Sequence, residues 1–136
     1  MEDVKLQDFE IREGLEGLTP ERIMTLYRRA PLHRMVGSSE RVWKMFTSSS
    51  LVITAWHEGH LVGIARILSD DVIYSYLCDL AVEPDVQRLG VGRALISEVL
   101  RKCRGTELIL RDSDISAGFY AHLGFTRVEN AWTRKA

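Results

Sequence analysis

The sequence predicts a single domain, residues 1–136, of the α/β class, in which a mixed sheet of the α+β type carries helices on its faces. Three observations predict it. The chain has 136 residues, 46% of them apolar and 27% charged, the size and composition of one soluble globular domain that buries a real core without a disulfide or structural metal. Its strand-type and helix-periodic runs follow the order β-α-α-β-β-β-α-β-α-β-β, which is no regular βαβ repeat. Residues 72–82 are apolar on both faces except at Ser75 and Asp79, as a central strand requires.

Taken in order, Phe9–Glu13 is a short strand that Gly14 and Gly17 break. Thr19-Pro20-Glu21 starts a helix: the hydroxyl caps, the proline suits the first turn, and the carboxylate meets the positive end of the dipole. Ile23, Leu26, Tyr27 and Ala30 form its apolar face and Pro31 ends it. Ser38 or Ser39 caps a second, short helix with Val42, Trp43 and Phe46 as its stripe. Leu51–Trp56 and Leu61–Leu68 are strands joined by a Glu58-Gly59 hairpin turn, and Asp70-Asp71 makes the next turn, before the central run. After a loop, Glu83–Leu89, a helix runs from about Gly90 to Cys103 and Gly105 stops it. Glu107–Arg111 is a strand, Asp114–Leu123 a helix, Phe125–Val128 a strand and Ala131–Lys135 a last edge strand.

Composition excludes several functions. Eighteen Lys and Arg stand against nineteen Asp and Glu, a formal net charge of −1, so the cationic surplus that neutralises nucleic-acid phosphates is missing. Cys78 and Cys103 lie far apart without CxxC spacing, and two thiols do not make a four-ligand zinc site, so no metal is expected. In His57-Glu58-Gly59-His60 the second histidine falls at i+3 in a turn, which is not the helical i+4 pair of a zinc protease. The N-terminus is acidic where a signal peptide is basic, and no apolar run approaches the roughly 18 residues of a membrane span. The expected compartment is the cytoplasm, with no membrane partner.

The segment from Asp79 to Leu95 carries the sharpest signal. A strand runs into a loop that opens a helix at two glycines, so unpaired N–H groups and the positive end of the helix dipole converge on one point, which suits a phosphate. Gly90 and Gly92 allow close approach, and Arg88 and Arg93 add cationic forks suited to a diphosphate. A dinucleotide fingerprint fails on spacing, since seven residues separate Val82 from Gly90 and Leu95 stands at the third small position.

Gln87-Arg88-Leu89-Gly90-Val91-Gly92 resembles the Gln/Arg-x-x-Gly-x-Gly/Ala signature of the GNAT superfamily of N-acetyltransferases. The run Ser116-Ala117-Gly118-Phe119-Tyr120-Ala121-His122-Leu123-Gly124-Phe125 is similar to that family's second landmark, a helix with Phe-Tyr followed by Leu-Gly-Phe. The resemblance covers nearly the whole chain from Phe9 and is strongest to small single-domain members. It implies the acyl-CoA N-acyltransferase fold, a central splayed mixed sheet flanked by helices, with acetyl-CoA as co-substrate and no metal. In such a fold the central strand bulges, the backbone of Leu80, Ala81 and Val82 pairs with the pantetheine arm, and the pyrophosphate sits on the amides of Arg88, Leu89, Gly90, Val91, Gly92 and Arg93.

The resemblance also implies that Tyr120 is the general acid for the departing thiolate, although packing beside Phe119 is the alternative role. A phenol near 10 and a thiol near 8.5 differ by roughly 1.5 units, so the transfer is uphill by about 2 kcal/mol without tuning. A lysine-like amine of pKa about 10.4 is neutral only about once in 2,500 at pH 7, so a base or water chain must help. Asp79 is the first candidate base, with a structural carboxylate as the equal alternative; Glu83 and His122 are weaker candidates. Ser113 stands where many relatives place an asparagine that touches the cofactor arm, and Val86 where an aromatic is common. Tyr27, His33 and Arg34 belong to the segment that in the family caps the acceptor site, and the His-Arg pair favours an acceptor bearing an acid.

The expected function is acetyl transfer to a primary amine of a small molecule by direct attack, since no cysteine occupies a recognisable nucleophile position. The alternatives are an acetyltransferase for protein N-termini or lysines, and a non-catalytic acyl-CoA-binding sensor or interaction module. Pairing of C-terminal strands in compact relatives leaves a homodimer open.

Overall fold

A computed structural model describes residues 4–30, 32, 37–113 and 117–136. Two hydroxyl caps start its first helices. Thr19 Oγ1 accepts the Arg22 N–H at 3.2 Å ahead of α1 (Pro20–Arg29), and Ser38 Oγ accepts the Arg41 N–H at 3.3 Å ahead of α2 (Ser39–Thr47). Ser38, not Ser39, is the cap.

The strands are β1 (Glu10–Glu13), β2 (Leu51–His57), β3 (His60–Ser69), β4 (Tyr74–Val82) and β5 (Glu107–Leu110), hydrogen-bonded in that order. The first four are antiparallel, and β5 joins β4 in parallel after the crossover helix α3 (Val91–Lys102). A 3₁₀ turn, Pro84–Leu89, fills the expected loop, and a short helix α4 (Ala117–His122) follows β5. Glu58 and Gly59 both take positive φ, 49° and 80°, the twist that closes a two-residue hairpin. The central strand starts at Tyr74 rather than Val72. Asp70 Oδ1 accepts the N–H groups of Val72, Ile73 and Tyr74 at 2.8, 2.8 and 3.0 Å, which spends the first two on the turn.

The sheet separates two cores. On one face α3 lays Val91, Leu95, Ile96 and Val99 against Ile53, Ala65, Ile67 and Leu77. Gly63 makes that contact close: a Cβ there would stand 2.9 Å from Leu95 Cδ1. On the other face α1 and α2 lay Ile23, Leu26, Tyr27, Val42 and Phe46 over Val52, Trp56, Ile64 and Ala81. Truncating a fully buried residue such as Leu95 to Ala costs about 2–5 kcal/mol in such packing.

The two C-terminal strands expected at 125–128 and 131–135 are not formed, and among the described residues the sheet has five strands rather than seven. Phe125 spends its N–H on the end of α4 instead, donating to Tyr120 O at 3.1 Å while Gly124 N–H donates to Ala121 O at 3.1 Å. That is a Schellman cap, with Gly124 at φ 90°. β-propensity alone does not supply a neighbouring edge to pair with, and Trp132 is 97% exposed.

Candidate functional site

The β4–β5 ladder ends at the pair Leu77–Leu110, yet β4 runs on to Val82. The strands part at a bulge. On the β3 side the register steps from Ile67–Leu77 to Arg66–Asp79, which inserts Cys78. Residues 79–82 therefore keep β3 on one edge, and among the described residues no strand pairs with the other. Glu83 donates its N–H to Val62 O at 2.8 Å, and hydrogen-bonded pairs alternate along an antiparallel ladder. Leu80 and Val82 thus turn their main-chain groups to the open edge, whereas Ala81 spends its own on β3 and buries its methyl under α1. This corrects the expectation for Ala81.

The open edge leads to the start of α3. Gly90, at φ 92°, is its N-cap and brings no side-chain cap; the first helical bond is Ala94 N–H to Gly90 O at 3.0 Å. The N–H groups of Val91, Gly92 and Arg93 lie outside that ladder, at the positive end of the dipole. The side chains of Arg88 and Arg93 are exposed beside them, while Leu89 and Val91 pack into the core and offer only backbone. Gln87 Nε2 donates to Val82 O at 3.1 Å, so this side chain holds the end of β4 to the turn. A Cβ on Gly92 would stand 3.7 Å from Val82 Cγ2, which brings strand edge and helix start together.

α4 completes the arrangement. The Tyr120 ring meets Phe119 edge-on at 5.1 Å and Phe125 at 5.6 Å, the second contact being the apolar partner of the Schellman cap. Burial pushes the Tyr120 phenol up to about 12, with a further push from the Asp112 carboxylate. Ser113 is exposed in the connection between β5 and α4.

Asp79 lies elsewhere. It is 2% exposed on the α1 side of the sheet, where Arg66 Nε donates to its Oδ2 at 2.6 Å and the Tyr27 hydroxyl donates to the same oxygen at 2.9 Å. This is the arrangement of a structural carboxylate, held by side chains of β3 and α1. Burial works against the Arg66 charge, but the Asp79 hydrogen bond and charge outweigh it and raise the guanidinium above its ordinary value. Tyr27 is buried on the same side, with its hydroxyl donating to Asp79. His33 and Arg34 lie outside the described residues. Glu83 is bound by Arg29 of α1, whose Nε stands at 2.6 Å, and His122 is exposed.

Sequence reasoning missed Arg66 and Arg29. The signal for Arg66 was present: one cation inside an apolar strand run, next to a strand whose buried-looking acid had no assigned partner. Arg29 gave no such signal, because it sits on a helix face among other basic residues. Arg101 pairs with Glu98 and Lys102 with Glu13, the surface roles their positions suggest. An open depression of about 410 Å3 beside Leu68, Ser69 and Tyr74 lies at the opposite end of β4 from Val82.

Known proteins resemble this chain in sequence and in fold. The acetyltransferase (GNAT) domain family matches residues 16–135. An uncharacterized, ycf52-like N-acetyltransferase of Prochlorococcus marinus is 33% identical over 116 residues, 77% of this chain and 64% of that protein. The chloroplastic serotonin N-acetyltransferase 2 of Oryza sativa subsp. japonica is 28% identical over 134 residues, 90% of this chain and again 64% of the relative, so the chain spans less than two-thirds of each. In structure it is similar to a Deinococcus radiodurans R1 protein assigned as an acetyltransferase, with a TM-score of 0.82 at 24% identity over 99% of this chain and 94% of that one, a likeness of fold. With the family matched over nearly its whole length, this chain belongs to the acetyltransferase (GNAT) domain family.

Proposed function

We propose that this chain transfers an acetyl group from acetyl-CoA to a primary amine of a small molecule. The observation that carries the reading is the strand edge left open where β4 outruns β5, ending at the uncapped N-terminus of α3. Such an edge offers main-chain pairing to an amide-bearing arm, and the helix start offers N–H groups and positive potential to a diphosphate. Leu80 and the N–H of Val82 would hold the arm, the Val82 carbonyl already accepting from Gln87. The amides of residues 90–93, with Arg88 and Arg93, would hold the phosphates. The acceptor class draws its support from the rice relative, whose name is that of a small-molecule amine acetyltransferase.

The reaction balances without a covalent enzyme intermediate. A neutral amine attacks the thioester carbonyl, the C–S bond breaks, and the sulfur leaves as a thiolate that takes a proton or hydrogen bond from Tyr120. The amine nitrogen sheds its extra proton to water. Asp79 is assigned a structural role here, because its oxygen already serves Arg66 and Tyr27.

Titration calorimetry with coenzyme A and a thiol-release assay over a panel of small amines and peptides test this. Binding heat, with release for small amines, is the expected result. No heat on folded protein would overturn the reading; release with peptides alone would move the acceptor to proteins, and heat without any release would leave a binding module.

A further inference from the structure

Arg66 and Asp79 face each other at the step where β3 and β4 change register. The pair is buried, and a buried ion pair adds little stability over apolar residues of similar size; its best-attested use is to specify one register over another. The competing register is easily written down. Continuing the ladder from Ile67–Leu77 without a bulge would set Arg66 opposite Cys78 and Asp79 opposite Ala65.

That slip is costly for a definite reason. Ala65 faces the α3 core among Ile67, Val91 and Leu95, so the slipped Asp79 would bring its carboxylate into an apolar layer. Arg66 would at the same time lose its buried partner on the opposite face. In the observed register Asp79 receives Arg66 at 2.6 Å and Tyr27 of α1 at 2.9 Å, with the guanidinium 5.8 Å from the Phe46 ring centroid. The slip would also reverse which main-chain groups are exposed. Leu80 and Val82 would bond to β3, and Ala81 would turn outward.

We infer that Arg66 and Asp79 lock the bulged register of β3 and β4, and so determine that Leu80 and Val82 present their main-chain groups to the acyl-CoA arm. They are positioning residues, and this role rests on the cofactor reading proposed above.

The test is the double variant Arg66→Met with Asp79→Leu, followed by amide hydrogen exchange at residues 80–82, coenzyme A affinity and melting temperature. In the unaltered chain without ligand, Ala81 is expected to exchange at least about 100-fold more slowly than Leu80 and Val82. The double variant should melt within about 5 °C of it, lose or invert that pattern, and bind coenzyme A at least about tenfold more weakly. A folded double variant with the original exchange pattern overturns the inference whatever its affinity, and so does an altered pattern with unaltered affinity. Should it not fold, Arg66→Gln with Asp79→Asn keeps a neutral hydrogen-bonded pair and should show the same changes at about threefold in affinity. Unchanged behaviour there, or failure of both variants to fold, overturns the inference. If the unaltered chain binds no coenzyme A, the cofactor reading fails by itself, and the exchange pattern still reports on the register.

Discussion

The ring of Phe119 stands against Gly92: a Cβ on that glycine would lie 3.4 Å from Phe119 Cζ. α4 is thereby docked on the first turn of α3, and any side chain at position 92 is felt by both. Gly92→Ala makes only ordinary contact there and should bind coenzyme A within about threefold of the unaltered chain. Gly92→Glu must displace the ring and places a carboxylate where a diphosphate is expected. It should abolish saturable binding in calorimetry, and retained affinity would remove the helix start from the site.

Gly90 is tested for backbone rather than space. Its φ of 92° is unfavourable for a side chain although a Cβ would clear Leu6 by 3.7 Å. Gly90→Ala should cost about 1–2 kcal/mol and weaken coenzyme A binding as the amides after it reorient. Gly90→Asn should lose less, since asparagine tolerates the left-handed region. Thermal melts and calorimetry on both variants check the order.

A phenol at about 12 keeps its proton throughout the neutral range but gives it up reluctantly. Complete transfer to a thiolate near 8.5 is uphill by roughly 5 kcal/mol, so Tyr120 should act as a hydrogen-bond donor while the C–S bond breaks. Tyr120→Phe should lower kcat about 10²-fold with KM for acetyl-CoA nearly unchanged. Because the folded value is raised, Tyr120 should produce no falling limb in the rate between pH 7 and 10. Stability, by the same shift, is intact below pH 10 and declines as the pH rises from 10 towards 12, a decline that Tyr120→Phe should reduce.

Asp70 supplies an acid-side prediction. Three backbone N–H bonds, from Val72, Ile73 and Tyr74, hold its carboxyl below the usual value of 3.8. A lowered folded value means that its contribution is present above that pH and lost as the pH falls through the folded value. Asp70→Ala should therefore be destabilised at neutral pH, with the difference from the unaltered chain shrinking below about pH 4 in urea titrations. A difference that stays constant down to pH 2 would contradict this.

Much of the fold was legible because its signals are local. The hydroxyl caps Thr19 and Ser38, the Glu58-Gly59 turn and the α3 face of Val91, Leu95 and Val99 each depend on residues within a few positions of one another. The two glycine and aromatic landmarks were legible as well, and the Schellman cap at Gly124 shows why phenylalanine follows that glycine: it packs on Tyr120.

What the sequence by itself determined is the set of helices, the strand runs up to β5, the phosphate-suited helix start and the family resemblance. Tertiary structure alone decided that Asp79 belongs to Arg66 and Tyr27, that Ala81 faces β3, and that residues 125–136 form no strand. The physical reason is that a ladder's register and end depend on groups distant along the chain. Tyr27 is 52 residues from Asp79 and Arg66 is 13, and neither helical periodicity nor strand alternation spans such gaps.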